Sequence, residues 1–259
     1  DLRQKLMKTI SLFVNTNVGY DISKFLSNDP SLIIEYLFLS GQYEDIDNKI
    51  LKVFKNSKTK IIKNSNPKEV SKFLSNSNLD FHITVYWPYL LDKETIQKAK
   101  SSVNFHPAFL PINRGWYPHV HSIIDGSKSG VTLHEINEFA DKGNIWMQKE
   151  INIPLDFDAK MSYELLQNEI ILLFKNNWND IKNNSIKPFK QNETLANYHK
   201  KNEINDMDLF DIKNDNNLKV INFLRARSFG NKGFSYFINE KGEKVYMNIK
   251  FSKTNNFKK

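Results

Sequence analysis

Short apolar runs alternate with helical patterns along the first hundred residues, and this alternation restricts the fold more than any other feature. Apolar and β-branched runs predict strands, and apolar residues spaced three or four apart predict helices. Predicted strands cover residues 10–15, 33–40, 60–62, 82–86 and 102–104. Predicted helices lie near residues 21–26, 45–54, 67–76 and 93–98. The pattern indicates an α/β fold: a mostly parallel sheet with helices on both faces.

The remaining chain continues this pattern and then changes character. Its predicted elements are a helix at 117–124, strands at 130–136 and 145–151, and a long helix at 161–179 whose apolar face carries Leu165, Leu166, Ile170, Leu173 and Trp178. A polar stretch, 183–217, precedes two strand-like runs at 233–239 and 244–251, which predict a hairpin. We therefore expect a catalytic domain at 7–182 and a small C-terminal extension at 183–259 with a loop, a short helix and a β-hairpin. Residues 1–6 are interpreted as a leader or an added segment.

Composition excludes several classes of protein. The chain has 259 residues, 40% of them hydrophobic, and no stretch approaches the roughly 18 apolar residues that a membrane span needs. It has no cysteine, which excludes disulfides, thiolate zinc sites and thiol nucleophiles. No secretion signal is recognisable, so a cytoplasmic location is expected. The net charge of +8 favours anionic partners or reflects a Lys- and Asn-rich composition, and the charge alone does not decide between them.

The predicted loops lack the common cofactor motifs. The turn after the first strand, residues 15–19, has no GxGxxG pattern, and no P-loop occurs elsewhere. Without cysteine or an HExxH motif, a metal site is not expected. Ligands of parallel α/β sheets gather at the carboxyl ends of the strands, which here are residues 15–19, 87–91 and 104–114.

The end of the fifth predicted strand carries a polar pair, Asn104 and His106. Because side chains alternate along a strand, these two point to the same side of the sheet. An imidazole that accepts a proton and an amide N–H that stabilises an oxyanion are the groups needed for acyl transfer to an amine. The spacing is also compatible with a structural hydrogen-bonded pair, so the choice between a catalytic and a structural pair depends on the surrounding motifs.

Several motifs follow in order over about forty positions. After Asn104 and His106 come Leu110-Pro111 and Arg114-Gly115, then Gly130-Val131-Thr132, then Asp141-Lys142-Gly143. This segment resembles the formyltransferases that use N10-formyltetrahydrofolate, a family that includes methionyl-tRNA, glycinamide ribonucleotide and nucleotide-sugar N-formyltransferases. Ala108 stands where many members have Ser, and Lys142 occupies a variable place.

The resemblance implies a Rossmann-like formyltransferase fold and specific site residues. Asn104, His106 and Asp141 would be catalytic. The formyl donor N10-formyltetrahydrofolate would bind the loop Trp87, Pro88, Tyr89, Leu90 and Leu91 together with Phe139 and Ala140. The seventy residues after the long helix are too few for the β-barrel that methionyl-tRNA formyltransferases carry, and Asn197-Tyr198-His199-Lys200 also resembles the nucleotide-sugar group. The expected acceptor is therefore a dTDP-linked 4-amino-4,6-dideoxy sugar, with no nucleic-acid or membrane partner.

The acceptor contacts are predicted from residue type and position. The candidates for substrate binding are Asn15, Arg114, Glu135, Tyr198, Arg225, Phe234 and Tyr236. His134 or Glu135 contacts the acceptor or has a structural role. The exposed edge of the late hairpin favours a homodimer. By family resemblance, the product would enter lipopolysaccharide O-antigen synthesis.

Two alternatives stay open on the sequence alone. The first is formylation of methionyl-tRNA or another amine. The second is a ligand-binding module without catalysis, because a fold does not determine function.

Overall fold

A seven-stranded sheet forms the centre of the structure. The computed structural model describes residues 7–63, 69–206 and 217–252. Its first eight strands are β1 (Lys8–Val14), β2 (Leu32–Leu39), β3 (Lys60–Lys63), β4 (Leu79–Val85), β5 (Ala99–His106), β6 (Arg114–Gly115), β7 (Gly130–His134) and β8 (Ile145–Glu150). All except β6 belong to the sheet, in the order β3-β2-β1-β4-β5-β7-β8. Strands β1 to β5 are parallel, and β7 and β8 are antiparallel. The predicted α/β fold is confirmed.

Five helices connect these strands and a sixth follows β8, all close to the predicted positions. They are α1 (Thr16–Ser27), α2 (Glu44–Val53), α3 (Val70–Phe73), α4 (Lys93–Ile96), α5 (Pro118–Asp125) and α6 (Ala159–Lys182). Helix α1 begins five residues before its predicted start, directly after β1. The predicted helix at 67–76 is shorter in the structure, and its positions 67–68, like residues 1–6, lie outside the described residues.

Side chains of β1 alternate between two apolar cores, one on each face of the sheet. Ile10, Leu12 and Val14 are buried in a larger core, whereas Phe13 enters a smaller one and stacks on Phe38 with ring centroids 4.4 Å apart. The period of two places successive residues on opposite faces. Both faces are therefore covered, as the apolar runs indicated.

Helix α6 closes the larger core. It begins where the Asp158 carboxylate accepts a hydrogen bond from the Met161 N–H at 2.9 Å, which caps the helix. Leu166, Ile170 and Trp178 on its apolar face are fully buried. Among the described residues, no helix is both long and apolar enough to cross a membrane.

The C-terminal extension consists of short elements. They are β9 (Tyr198–His199), α7 (Glu203–Asp206), α8 (Asn217–Ala226), β10 (Ser228–Phe229), β11 (Lys232–Gly233), β12 (Tyr236–Ile238) and β13 (Lys244–Tyr246). Strands β12 and β13 form the predicted hairpin, but they are shorter than expected. One reason is that Gly233 pairs with Ser228 in the preceding β10–β11 hairpin.

Residues 189–199, here called the return segment, lie in the stretch predicted to separate the two regions. Instead of acting as a spacer, this segment packs against β6 and the start of β8. Phe189 forms an antiparallel bridge with Ile145, and β9 pairs with β6 in a parallel arrangement. The segment therefore contributes to the surroundings of the site.

Candidate active site

A cavity of about 860 Å³ lies at the carboxyl ends of β1, β4 and β5. Asn104, His106 and Asp141 all line it. The structure thus brings together the three residues that were predicted to be catalytic. The position agrees with the general location of ligands in parallel α/β sheets.

Asn104 is fixed by its neighbours on the two adjacent strands. Thr84 on β4 and His134 on β7 stand in register with it on either side. The Thr84 hydroxyl donates to the Asn104 Oδ1, and the Asn104 Nδ2 donates to the Nε2 of His134 at 2.9 Å. Because a carboxamide nitrogen carries two hydrogens, a second N–H remains for a ligand after the bond to His134.

His134 was considered near the pocket but was not among the predicted site residues. Its Nδ1 lies 2.7 Å from the Glu135 carbonyl oxygen, which can only accept, so the proton is assigned to Nδ1. The unprotonated Nε2 then accepts from Asn104. His134 therefore orients the amide that the site presents.

His106 is held by a backbone carbonyl and faces a carboxylate. Its Nε2 lies 3.3 Å from the Asn113 carbonyl oxygen, and its Nδ1 lies 3.4 Å from Asp141 Oδ1. The first contact assigns the proton to Nε2 and leaves the lone pair on Nδ1. Burial lowers the pKa of His106 below its usual value of 6.5, although the Asp141 charge opposes this shift. The ring is therefore neutral at pH 7 and can accept a proton at Nδ1.

Asp141 lies in the loop after β7 and has a left-handed backbone, with φ of 56°. Its Oδ2 accepts the Gly115 N–H at 2.9 Å. Burial alone would raise its pKa, but the positive charge that His106 carries at acid pH, the contact with His134 and the Gly115 N–H together hold the pKa well below the ordinary value. The carboxylate stays ionised and can stabilise an imidazolium at His106.

Gly143 is needed for the conformation of the same loop. A Cβ at this position would lie 1.7 Å from the Glu135 carbonyl oxygen. The glycine of the Asp-x-Gly motif therefore permits a close approach of two backbone segments.

All seven residues expected to bind the folate line the cavity: Trp87, Pro88, Tyr89, Leu90, Leu91, Phe139 and Ala140. Leu90 and Phe139 are 64% and 65% exposed, which is high for large apolar side chains. The indole Nε1 of Trp87 is buried without a hydrogen-bond partner among the described residues. An apolar surface with such an unpaired donor suits a flat heterocycle with polar edges.

The predicted substrate residues divide into two groups. Asn15, Tyr198 and Phe234 line the cavity. Four others are held elsewhere and do not line it: Arg114, Glu135, Arg225 and Tyr236.

Each of these four has a structural partner. Arg114 is buried and pairs with Glu193 at 2.7 Å. Glu135 accepts from the Asn144 amide at 2.9 Å. The Nη1 of Arg225 donates to the carbonyl oxygens of Pro154 and Phe157, and Tyr236 packs on Tyr246. Arg227, two residues after Arg225, does line the cavity.

One group of potential metal ligands occurs among the described residues: His121, His199 and Glu203, with ligand atoms within 4.8 Å of one another. The two imidazole rings stack with centroids 3.5 Å apart and planes only 7° from parallel. A metal bound to imidazole lies about 2.1 Å from the nitrogen, close to the plane of the ring. A single ion therefore cannot bind both rings in this arrangement.

Comparison with known proteins identifies the fold and the family. Residues 40–173 match the pattern of a family described as "Formyl transferase", and residues 213–253 match one described as "N-formyltransferase dimerization C-terminal domain". The dTDP-4-amino-4,6-dideoxyglucose formyltransferase of Mycobacterium tuberculosis is 32% identical over 148 residues, which are 57% of this chain and 63% of that protein. The chain thus matches less than two thirds of that relative's length.

Two solved structures share the fold over most of the chain. A 4-N formyltransferase from Francisella tularensis superposes with a TM-score of 0.82 at 26% identity, covering 96% of this chain and 99% of that one. An N-formyltransferase from Helicobacter canadensis, solved with folinic acid and dTDP-3-aminofucose, gives a TM-score of 0.68 at 22% identity, with coverages of 85% and 80%. The second likeness shows the fold alone.

Proposed function

Because the chain belongs to the formyl transferase family, we propose that it is a sugar N-formyltransferase. The proposed reaction moves the formyl group of N10-formyltetrahydrofolate to the amine of a dTDP-linked 4-amino-4,6-dideoxy sugar. The observation that carries this proposal is the Asn104 amide, fixed by Thr84 and His134, beside a neutral His106 and an ionised Asp141.

The three polar residues supply what amine formylation requires. N10-formyltetrahydrofolate provides the formyl group. The remaining N–H of Asn104 stabilises negative charge on the formyl oxygen as the amine nitrogen bonds to the formyl carbon. His106 accepts the proton that the amine loses, at Nδ1, and the Asp141 carboxylate 3.4 Å away stabilises the resulting imidazolium. When the bond between the formyl carbon and N10 breaks, this proton can return to the departing nitrogen.

The remaining part of the cavity suits a nucleotide sugar. It extends from the catalytic residues to Tyr198 and Phe234 in the C-terminal extension, and two cations, Lys201 and Arg227, also line it. The proposal assigns the aromatic side chains to the sugar and base and the two cations to the diphosphate. The relative from Mycobacterium tuberculosis is named as a dTDP-4-amino-4,6-dideoxyglucose formyltransferase, which supports the choice of a dTDP-linked 4-amino sugar.

We also propose a homodimer, formed through the C-terminal extension. Exposed apolar side chains on its described elements include Leu218, Phe229, Ile238 and Tyr246. Large apolar side chains left exposed in this way favour association. Light scattering should give twice the mass of one chain. The cytoplasmic location stays a prediction.

A formyl-transfer assay with mass spectrometry tests the proposal. The donor is N10-formyltetrahydrofolate, and the acceptors are dTDP-4-amino-4,6-dideoxyglucose, its C3-amino and C4-epimeric relatives and their UDP counterparts. The gain of one formyl group on a dTDP-4-amino sugar is expected, and the Asn104→Ala variant should give little product. Charged initiator tRNA serves as a competing acceptor, and its formylation in place of every sugar would overturn the proposal.

A further inference from the structure

We propose that Gln191, in the return segment, positions the catalytic carboxylate of Asp141 through its loop backbone. This inference rests on the proposed function and adds a positioning residue from outside the segment that carries the catalytic groups. Gln191 is 50 residues away from Asp141 in the sequence.

The Gln191 carboxamide bonds both sides of the Asp141 loop. Its Nε2 donates to the carbonyl oxygen of Asp141 and to that of Gly143, each at 2.7 Å. Both hydrogens of the amide are therefore used on one short stretch of backbone. The two bonds span the residues whose conformation determines where the carboxylate points.

Gln191 is itself anchored from the opposite side. Its Oε1 accepts from Nε and Nη2 of Arg114 at 3.2 and 2.7 Å. The same guanidinium donates to both carboxylate oxygens of Glu193, at 3.0 and 2.7 Å. A planar guanidinium that donates twice to one amide oxygen and pairs in bidentate fashion with a carboxylate has a restricted orientation. The amide of Gln191 consequently has one preferred position.

The backbone of the return segment adds a second connection to the same place. The Arg114 N–H donates to the Asn197 carbonyl oxygen, and the Trp116 N–H donates to that of His199. Between these two, the Gly115 N–H is left to donate to the Asp141 carboxylate. The return segment thus holds both the backbone of Asp141 and the donor that its carboxylate accepts.

Asp141 requires such support because it lies outside the sheet. No ladder of strand hydrogen bonds fixes it, and its left-handed φ is unfavourable for a residue with a side chain. Without the two bonds from Gln191, the loop can relax toward more common backbone conformations. A displacement of about 1 Å at a reacting group can reduce a rate about a hundredfold.

The test uses Gln191→Leu and Gln191→Glu. The leucine removes all four bonds, whereas the glutamate keeps an acceptor for Arg114 and replaces the amide group that donates to the loop by a second carboxylate oxygen, which adds a negative charge. Both variants should lose about tenfold to a hundredfold in kcat, with KM for donor and acceptor changed less than about threefold. The glutamate variant separates positioning from stability, because its pairing with Arg114 should preserve the fold as judged by thermal unfolding.

A pH profile distinguishes positioning from a purely structural role. The Asp141 charge raises the pKa of His106, so a displaced carboxylate lets that pKa fall further. The acid limb of kcat/KM should then move to lower pH in the leucine variant, whereas the negative charge added in the glutamate variant opposes this shift. A structural role predicts less folded enzyme with an unchanged acid limb, and that result would overturn the proposal.

Gln148→Leu is the matched control. The Gln148 Nε2 also donates to a backbone carbonyl, that of Leu110 at 3.0 Å, but it does not contact the Asp141 loop. We expect its acid limb to match wild type. Wild-type kcat in both Gln191 variants would refute the positioning role while leaving formyl transfer intact. A wild-type enzyme that formylates no amine would refute the proposed function itself.

Discussion

The three residues proposed to be catalytic are held in two different ways. Asn104 and His106 belong to β5, and residues of the two neighbouring strands in register fix the Asn104 amide. Asp141 belongs to a loop and depends on a segment 50 residues further along the chain. The difference teaches that hydrogen bonds to adjacent strands of a sheet can fix a polar side chain on a strand. A loop residue has no adjacent strand and needs contacts from another segment of the chain.

The largest effect is expected for Asn104→Ala, on the strand side of the comparison. Loss of an oxyanion donor typically costs about 10²–10³ in kcat, and we expect that range here. Steady-state formyl transfer measures it. Asn177→Ala serves as a control because its amide bonds only the Leu173 carbonyl oxygen of its own helix. A fall of less than tenfold in the Asn104 variant would mean that another group stabilises the oxyanion.

A smaller loss, about tenfold in kcat, is expected for His134→Leu. The substitution removes the acceptor that orients the Asn104 amide, and one hydrogen bond is worth about this factor. His134→Gln retains an acceptor oxygen and should recover part of the rate. Equal rates for the two His134 variants would show that the shape of the side chain, rather than its hydrogen bond to Asn104, determines the role of His134.

The substitution Gly115→Ala tests how the return segment supports Asp141 in its loop. A Cβ there would lie 2.3 Å from the His199 carbonyl oxygen, so the return segment must move, and we expect a severalfold loss of kcat. Gly126→Ala is the matched control. Both glycines have positive φ, but nothing lies within 4 Å of a Cβ at Gly126, and its cost should be limited to about 1 kcal/mol of stability. Circular dichroism against denaturant measures stability, and identical effects of the two substitutions would contradict the argument.

The smallest expected effect is a displaced pH dependence. Because burial lowers the pKa of His106, the neutral base persists as the pH falls below 6.5 and is lost only on further acidification. The acid limb of kcat/KM should therefore lie below pH 6.5, within a profile measured from pH 5 to 9. An acid limb above that value would mean that the Asp141 charge outweighs burial.

The sheet could be predicted because its signal is local. Alternation along β1 places Leu12 and Phe13 on opposite faces, and apolar runs of this kind identify all five parallel strands. The same period places Asn104 and His106 on one side. Helix bounds were less accurate, because the start of α1 at Thr16 depends on the turn after β1 and not on the apolar pattern.

The missed residues depend on pairings that one sequence does not reveal. His134 acts on Asn104 only because β7 lies beside β5, and Thr84 acts on it only because β4 does. Arg225 was a candidate for substrate binding, but its guanidinium donates to the carbonyl oxygens of Pro154 and Phe157, which no local pattern predicts. Asp141 was recognised from the family resemblance. No residue near it in the sequence indicates that Gln191, 50 positions later, bonds its backbone.

The attachment of the return segment has a consequence for how the molecule opens. Arg114 and Trp116 donate amide hydrogen bonds to residues more than eighty positions away. Detaching this segment breaks the bridge between Phe189 and Ile145 at the start of β8, but it leaves the parallel strands β1 to β5 paired. Proteins commonly open in such cooperative units well below the energy of global unfolding. The protons of these two amides should exchange with deuterium earlier than those of β1. In that opened state the sheet would remain folded while Asp141 lost its support, so the energy of one local opening would set the fraction of molecules competent for catalysis.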